Sequence, residues 1–326
     1  MSKGVKIAGV GYYVPEKILD NKYFEEIVDT SDEWIMTRTG IKERRIAAPE
    51  QATSDLSIIA CKNALKDANI KPEDIDLVIH HSVTPDMIYP GTSCLVQHAL
   101  GIKNAGTMDT IAGCTGFIYS LSTGYAYIKA GMAKNVLVIA GDTLTRVTNY
   151  KDRGTCVLFG DGAGAFVLTE SAEDHFHGFY LDGDGAYSDF ISQPCSGSRM
   201  PPTPEVLEKD LQYLHMSGQN TFKLAVTAMT NSAKKVLEDS GIKPEDVSWI
   251  IPHQANIRIM DSVAKRLKVP VERVVKTIHK YGNTSATTIP IAFGEYKELG
   301  EIKRGDIVLF VAFGAGATWG ATIFKY

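Results

Sequence analysis

The chain has 326 residues, 44% hydrophobic and 22% charged, so it can bury a large core and is not a disordered segment. Its formal net charge of −4 excludes the global basic field that marks many nucleic-acid binders. The opening MSKGVKIAGVGYYVP has no long apolar stretch, so no secretory leader is expected.

In chain order, Gly9-Val-Gly11 is read as following a strand. Pro15 comes soon after and no helix opens there, so the dinucleotide-loop context is missing. Residues 64–82 read ALKDANIKPEDIDLVIHHS, and residues 236–254 read VLEDSGIKPEDVSWIIPHQ. Nine of these nineteen positions are identical at an offset of 172 residues, which points to internal duplication. The expected halves are 1–172 and 173–326, each a mixed sheet carrying helices. In the second copy Phe222, Ala225, Val226, Met229, Ala233, Val236 and Leu237 fall at helical spacing, and Gly241 is the expected stop. Short strands follow at Leu77–Ile79 and Trp249–Ile251, each running into a histidine. Val136–Ala140 and Ile307–Phe313 read as central strands covered on both faces. Gly160-Asp-Gly162-Ala-Gly164 predicts a hairpin between strands Cys156–Phe159 and Ala165–Leu168. Residues 183–220, rich in proline and glycine, predict loops over a cleft. Residues 307–324 are uncharged and long enough to span a bilayer, but Gly314, Gly316 and Gly320 interrupt them. Two buried strands around a glycine-rich turn are expected instead.

Eight histidines and five cysteines show no zinc-binding spacing, and the scattered cysteines suit free thiols in a reducing compartment. A cysteine is usually a small buried hydrophobe. Cys61 and Cys94, on helices, and Cys156, in a strand, read that way, while Cys195 lies in a Ser/Gly loop open to exposure. Cys114 differs. In Ile111-Ala-Gly-Cys-Thr-Gly-Phe, the glycines leave room for a substrate, and Phe117, Ile118 and Leu121 continue at helical spacing. A cysteine at a helix start meets unpaired N–H groups that favour its thiolate, as an acylated nucleophile needs. A close helix crossing would use the same small residues. His253 follows the second repeat strand, and Asn283 follows it 30 residues later, much as Cys114 follows His81 by 33. Two such halves packed face to face would bring Cys114, His253 and Asn283 into one cleft.

Together, Ile111-Ala-Gly-Cys-Thr-Gly-Phe, Pro252-His-Gln-Ala-Asn256 and Tyr281-Gly-Asn-Thr-Ser-Ala resemble the three active-site motifs of the β-ketoacyl-acyl-carrier-protein synthase III family. Thr30-Ser-Asp-Glu-Trp-Ile, Arg38-Thr-Gly-Ile, Arg153-Gly-Thr and Phe159-Gly-Asp-Gly-Ala-Gly resemble further family signatures, in order along the chain. The resemblance implies a thiolase-like α/β fold, two duplicated α/β halves forming a five-layered α-β-α-β-α structure. It implies a decarboxylative condensation of a short acyl-CoA, such as acetyl-CoA, with malonyl-acyl carrier protein, initiating type II fatty acid biosynthesis. A specialised synthase III-like condensing enzyme of secondary metabolism is the alternative. Cys114 would carry the acyl group, His253 and Asn283 would stabilise the enolate, and the backbone N–H groups of Cys114 and Ala315 would form a second oxyanion hole. Ala315 stands where the family usually has glycine. Trp34, Arg38, Arg153, Gly218, Phe222 and Asn256 would hold CoA, and Tyr89 would limit the acyl pocket. Arg258, Lys265 and Arg266, with Lys268 on the expected helix Ile257–Leu267, would dock the acyl carrier protein. A cytoplasmic homodimer is implied, with no metal, no cofactor beyond acyl-CoA as substrate, and neither nucleic acid nor membrane as partner.

Overall fold

The structure, a computed structural model, describes residues 4–326. Two sheets organise it. In the first, the strands run in the order Gly4–Tyr13, Asp161–Ser171, Asn135–Thr143, Leu77–His81, Gly106–Thr110. In the second, the order is Trp249–Pro252, Ile307–Gly314, Thr318–Lys325, Phe176–Gly183. The repeated segment builds the same unit in each. The helices Thr53–Ala68 and Gly218–Ser240 end at left-handed Asn69 (φ 52°) and Gly241 (φ 68°). A Pro-Glu-Asp turn follows each helix, and then a strand pairs in parallel with the long central one, Leu77 opposite Val136 and Trp249 opposite Val308.

The middle layer is helical. Gly116–Lys129 and Thr288–Glu298 lie between the sheets, and their Phe117, Ile118, Leu121, Ile289 and Phe293 join residues of both sheets in one core. Phe117 meets Phe166 of the first sheet at 5.0 Å and Phe310 of the second at 6.5 Å between ring centroids. The helix Thr53–Ala68 covers the outer face of the first sheet through Leu56, Ala60 and Ala64, and Gly218–Ser240 covers the second through Ala225, Met229 and Ala233. Helix, sheet, helices, sheet and helix make five layers.

The glycine-rich segments are packing devices. Gly9 and Gly11 lie inside the strand Gly4–Tyr13, not after it. A Cβ on Gly11 would stand 2.3 Å from Ala60 O, so glycine lets the outer helix lie directly on the strand. Gly160–Gly164 forms no hairpin. Cys156 ends a short helical turn, Arg153–Cys156, and the glycines start the single strand Asp161–Ser171. A Cβ on Gly164 would meet the Pro290 side chain at 2.5 Å, so the strand needs glycine where the middle layer approaches it. Cys195, expected in an open loop, is buried, because residues 183–220 fold back on themselves and its N–H donates to Leu211 O at 3.0 Å. Cys94 is half-buried, against Thr107. Residues 307–324 are antiparallel buried strands, and among the described residues no helix is long and apolar enough to cross a membrane.

Candidate active site

Each end of the middle layer meets the chain through a tight 3-10 turn, Gly113–Thr115 before the first helix and Ser285–Thr287 before the second. These turns are equivalent under the 172-residue offset. Both begin in the left-handed region, at Gly113 (φ 52°) and Ser285 (φ 61°). That conformation costs nothing at glycine but about 1–2 kcal/mol at a residue with a side chain. Cys114 is therefore the counterpart of Ala286, and Asn283 sits just ahead of the matching turn. This refines the reading of their similar spacings after the two repeat strands, on which Cys114 and Asn283 would occupy related positions.

Cys114 opens onto a cavity of about 1020 Å³ that His253, Asn283, Ser285 and Ala315 also line. Burial of the sulfur works against the expected thiolate in the free site. Burial raises the Cys114 thiol to about 12, the Ser285 hydroxyl works against that rise, and the Asp142 charge adds to it. The physical reason is local. The N–H groups of Thr115 and Gly116 are spent on Ala112 O and Gly113 O, so desolvation outweighs the helix start. Around the sulfur the backbone is closely fitted. A Cβ on Gly314 would lie 2.3 Å from Cys114 N, and one on Gly113 would lie 2.4 Å from Ala315 N. The two glycines thus bring the Cys114 and Ala315 backbones together.

His253 is placed by its neighbours. Its N–H donates to Val311 O on the central strand at 2.9 Å. Gln254, next along, is buried with its amide spread over Pro252 O, Val275 O and Thr277 N. His253 Nδ1 lies 2.8 Å from Thr288 Oγ1, which already accepts the Gln254 N–H at 3.3 Å. The Thr288 proton is thus free for Nδ1, and we assign the ring proton to Nε2. Burial lowers His253 to about 3, so the ring is neutral near pH 7. Asn283 is held by both backbone groups, its N–H to Leu158 O at 2.9 Å and its C=O from Gly160 N–H at 3.0 Å. Its Oδ1 accepts the Ser285 N–H at 2.9 Å, which leaves the two Nδ2 donors unspent. The buried end of the cavity therefore presents a sulfur and two fixed, uncharged donors.

The solvent-facing end is lined by Trp34, Arg38, Gly218, Phe222, Asn256 and exposed Arg258. Arg153 packs over the Trp34 ring at 4.9 Å without lining the cavity itself, and Arg38 stands 6.0 Å from the same ring. Asn256 caps the helix Ile257–Leu267 through Arg258 N–H and donates to Arg38 O at 2.9 Å, so it also ties the two sides of the opening together. That helix buries Ile259, Val263 and Leu267 and exposes Arg258, Lys265, Arg266 and Lys268. Tyr89, expected to limit the acyl pocket, does not line the cavity of its own chain. It is 84% exposed and lines no part of the Cys114 cavity, because its loop runs over the surface beside Met87 and Ile88. Sequence reasoning missed Thr288, Ser285 and Asp142. No group of three or more potential metal ligands occurs among the described residues.

Two mixed sheets joined through a shared helical layer, with Cys114, His253 and Asn283 on one cavity, place the chain in the thiolase-like class of acyl-transferring enzymes. Models of the 3-oxoacyl-[acyl-carrier-protein] synthase III family match residues 108–185 and, for its C-terminal part, residues 237–326. A β-ketoacyl-[acyl-carrier-protein] synthase III of Caldanaerobacter subterraneus subsp. tengcongensis is 52% identical over 98% of this chain and 97% of its own. The crystal structure of the 3-oxoacyl-[acyl-carrier-protein] synthase III of Aquifex aeolicus VF5 superposes with a TM-score of 0.92 at 45% identity, covering 99% of this chain and 100% of that one. The priming β-ketosynthase of the R1128 polyketide pathway gives a TM-score of 0.93 at 32% identity, covering 99% and 96%. The chain belongs to the β-ketoacyl-acyl-carrier-protein synthase III family.

Proposed function

We propose that the protein condenses a short acyl-CoA with malonyl-acyl carrier protein, releasing carbon dioxide and CoA, as the first elongation step of fatty acid biosynthesis. The observation that carries this reading is the convergence of Cys114, His253 and Asn283 on one cavity. Cys114 Sγ attacks the acyl-CoA thioester, and the Cys114 and Ala315 N–H groups receive the oxyanion. The malonyl thioester then loses carbon dioxide, and the enolate oxygen is met by His253 Nε2 and Asn283 Nδ2. Both donors are in place before charge develops, which is the condition for large transition-state stabilisation. No metal or redox cofactor takes part, and CoA enters as a substrate. Trp34, Arg38 and Arg153 receive its nucleotide, and Gly218, Phe222 and Asn256 line the way to the sulfur. Among the solved structures, the higher identity to the Aquifex aeolicus synthase III, 45% against 32% for the polyketide priming enzyme, favours the primary pathway. Acetyl-CoA and malonyl carrier together should yield carbon dioxide and acetoacetyl carrier in equal amounts. No condensation with any short or branched acyl-CoA would refute the reading.

The duplicated halves are taken as 1–172 and 173–326. A homodimer is supported by the first sheet's unpaired edge strand, Gly106–Thr110, with exposed Ile111 next in sequence and exposed Ile88 and Tyr89 just before Gly91, which packs on Asp109 of that strand. An unpaired edge and exposed apolar side chains favour pairing with a second copy. Light scattering at micromolar concentration should give close to twice the 35.6 kDa chain mass, and a monomer would contradict it.

Arg258, Lys265 and Arg266 are proposed to dock the acidic carrier. Arg258 stands beside Phe222 at 5.5 Å, at the cavity opening, and Lys265 lies two turns further along the same helix. Replacing Arg258 and Lys265 together by glutamate should raise KM for malonyl carrier by about tenfold at low salt and leave acylation by acyl-CoA within about twofold. The carrier effect should shrink as salt rises, because such contacts act mostly on encounter and are screened. Equal loss with both substrates would indicate a damaged helix, not a docking site.

A further inference from the structure

We propose that Arg44 is a positioning residue for decarboxylation, fixing the segment 157–160 on which Asn283 is held. This rests on the reading of Asn283 as a donor to the enolate. Three observations carry it. First, Arg44, on the short strand Glu43–Ile46, is the largest fully buried side chain among the described residues. Its guanidinium bridges two distant stretches of chain. Nη1 donates to Asn21 Oδ1 at 2.8 Å and to Leu19 O at 3.3 Å, and Nη2 donates to Val157 O. The group also lies 4.4 Å from the centre of the Phe24 ring. Second, residues 157–160 hold Asn283 by both of its backbone groups. Leu158 O accepts its N–H at 2.9 Å, Gly160 N–H donates to its C=O at 3.0 Å, and Phe159 stands opposite it in a parallel bridge. Third, the Arg44 side chain lies across the junction of these two segments. A Cβ on Gly160 would stand 3.2 Å from Arg44 Cβ, and one on Gly282 would stand 3.3 Å from the same atom.

Burying this charge is costly, which argues that the arginine is kept for what it holds. Arginine stays protonated in proteins. The acceptors of Arg44 are two backbone carbonyls and one amide oxygen, none of them a carboxylate, and its Nε is buried without a partner. A neutral side chain of similar length would avoid that desolvation. What the planar fork supplies is a rigid link to Val157 O. Val157 lies between the helical turn Arg153–Cys156 and the strand Asp161–Ser171, outside the regular bonding of either. The Oδ1 of Asn283 is occupied by Ser285 N–H, so the direction of its Nδ2 donors follows from where its backbone sits. A shift of residues 157–160 therefore moves those donors. The rest of the site is anchored elsewhere. His253 is held by Val311 and Thr288, and the Cys114 backbone packs on Gly314. The helix Asp32–Thr39, which carries Trp34 and Arg38, is tied by Asn21 Nδ2 to Asp32 Oδ1 at 2.7 Å and Ile41 O at 2.8 Å. Arg44 thus acts on one donor of the second half-reaction and leaves the first intact.

The test compares Arg44→Met, Arg44→Lys, Asn283→Ala and the double variant of Arg44→Met with Asn283→Ala. Pre-acylated enzyme is mixed with malonyl carrier and carbon dioxide release is followed, while acylation by acetyl-CoA is followed separately by mass. Arg44→Met should lower kcat for decarboxylation by at least about tenfold, since a misplacement of about 1 Å can cost about 10²-fold. KM for malonyl carrier and the acylation rate should stay within about twofold, because only transition-state stabilisation is lost. Arg44→Lys keeps one donor without the fork and should recover part of the loss. In the Asn283→Ala background, Arg44→Met should slow decarboxylation by less than about twofold more, because its effect passes through Asn283. Wild-type decarboxylation by Arg44→Met, a parallel loss of acylation, or losses that multiply in the double variant would each overturn the inference. If Arg44→Met does not fold by calorimetry, Arg44→Lys decides alone, and it must lose at least about threefold in decarboxylation kcat with acylation intact. Wild-type decarboxylation by Asn283→Ala would overturn the parent reading, and the role of Arg44 with it.

Discussion

Changing Cys114 to alanine is expected to lower condensation by at least about 10⁴-fold, the scale on which enzymes lose rate when a covalent nucleophile is removed. The loss should be selective. The proposed decarboxylation donors, His253 and Asn283, are held by Thr288, Val311, Leu158 and Gly160, none of which depends on the cysteine side chain. The alanine variant should still release carbon dioxide from malonyl carrier, without forming ketoacyl product. A variant that condensed at an appreciable fraction of the wild-type rate would mean that another group carries the acyl chain. Among the other cysteines, Cys61 illustrates why that is not expected. It is fully buried on the outer helix, and burial holds its thiol far above the ordinary range.

The second large effect concerns the donors. His253→Ala and Asn283→Asp should each slow malonyl decarboxylation by about 10²–10³-fold, the cost of one lost oxyanion donor, while acylation of Cys114 stays within a few fold. Asn283→Asp loses the Nδ2 donors and sets an acceptor oxygen against a developing negative charge. The pH dependence follows with a definite sign. Burial holds His253 at about 3, below its ordinary value, so it gains a proton only near or below pH 3. With pre-acylated enzyme, decarboxylation should show no limb from His253 between pH 5 and 8. A limb near pH 6.5 that vanished in His253→Ala would show the ring titrating in the site.

Much of the fold was legible because duplication left identical residues where local structure is most demanding: the proline of each Pro-Glu-Asp turn and the apolar strand after it. Cys114, His253 and Asn283, which share one cavity, were legible as three separated motifs. The support around it was not. Thr288 and Asp142 meet partners 35 and about 60 residues away in sequence, and small polar residues carry no periodic signal. One signal for Ser285 was present. At the offset of 172 residues it aligns with Gly113, a serine where the other half has a glycine in a tight turn. The apolar run Cys156–Phe159 was read as a strand because four buried residues do not distinguish a strand from a helical turn. The Cys114 thiolate was read from the helix start alone, since burial of the sulfur between two chain halves is a tertiary effect. The outward course of the loop that carries Tyr89 has no mark in the local sequence.

The most direct test of the whole account is the mass of the intact wild-type protein after brief incubation with acetyl-CoA or another short acyl-CoA, followed by peptide mapping. The account predicts a single added acyl group, located on the peptide bearing Cys114. An acyl group on another residue, or none with any acyl-CoA tried, would contradict it.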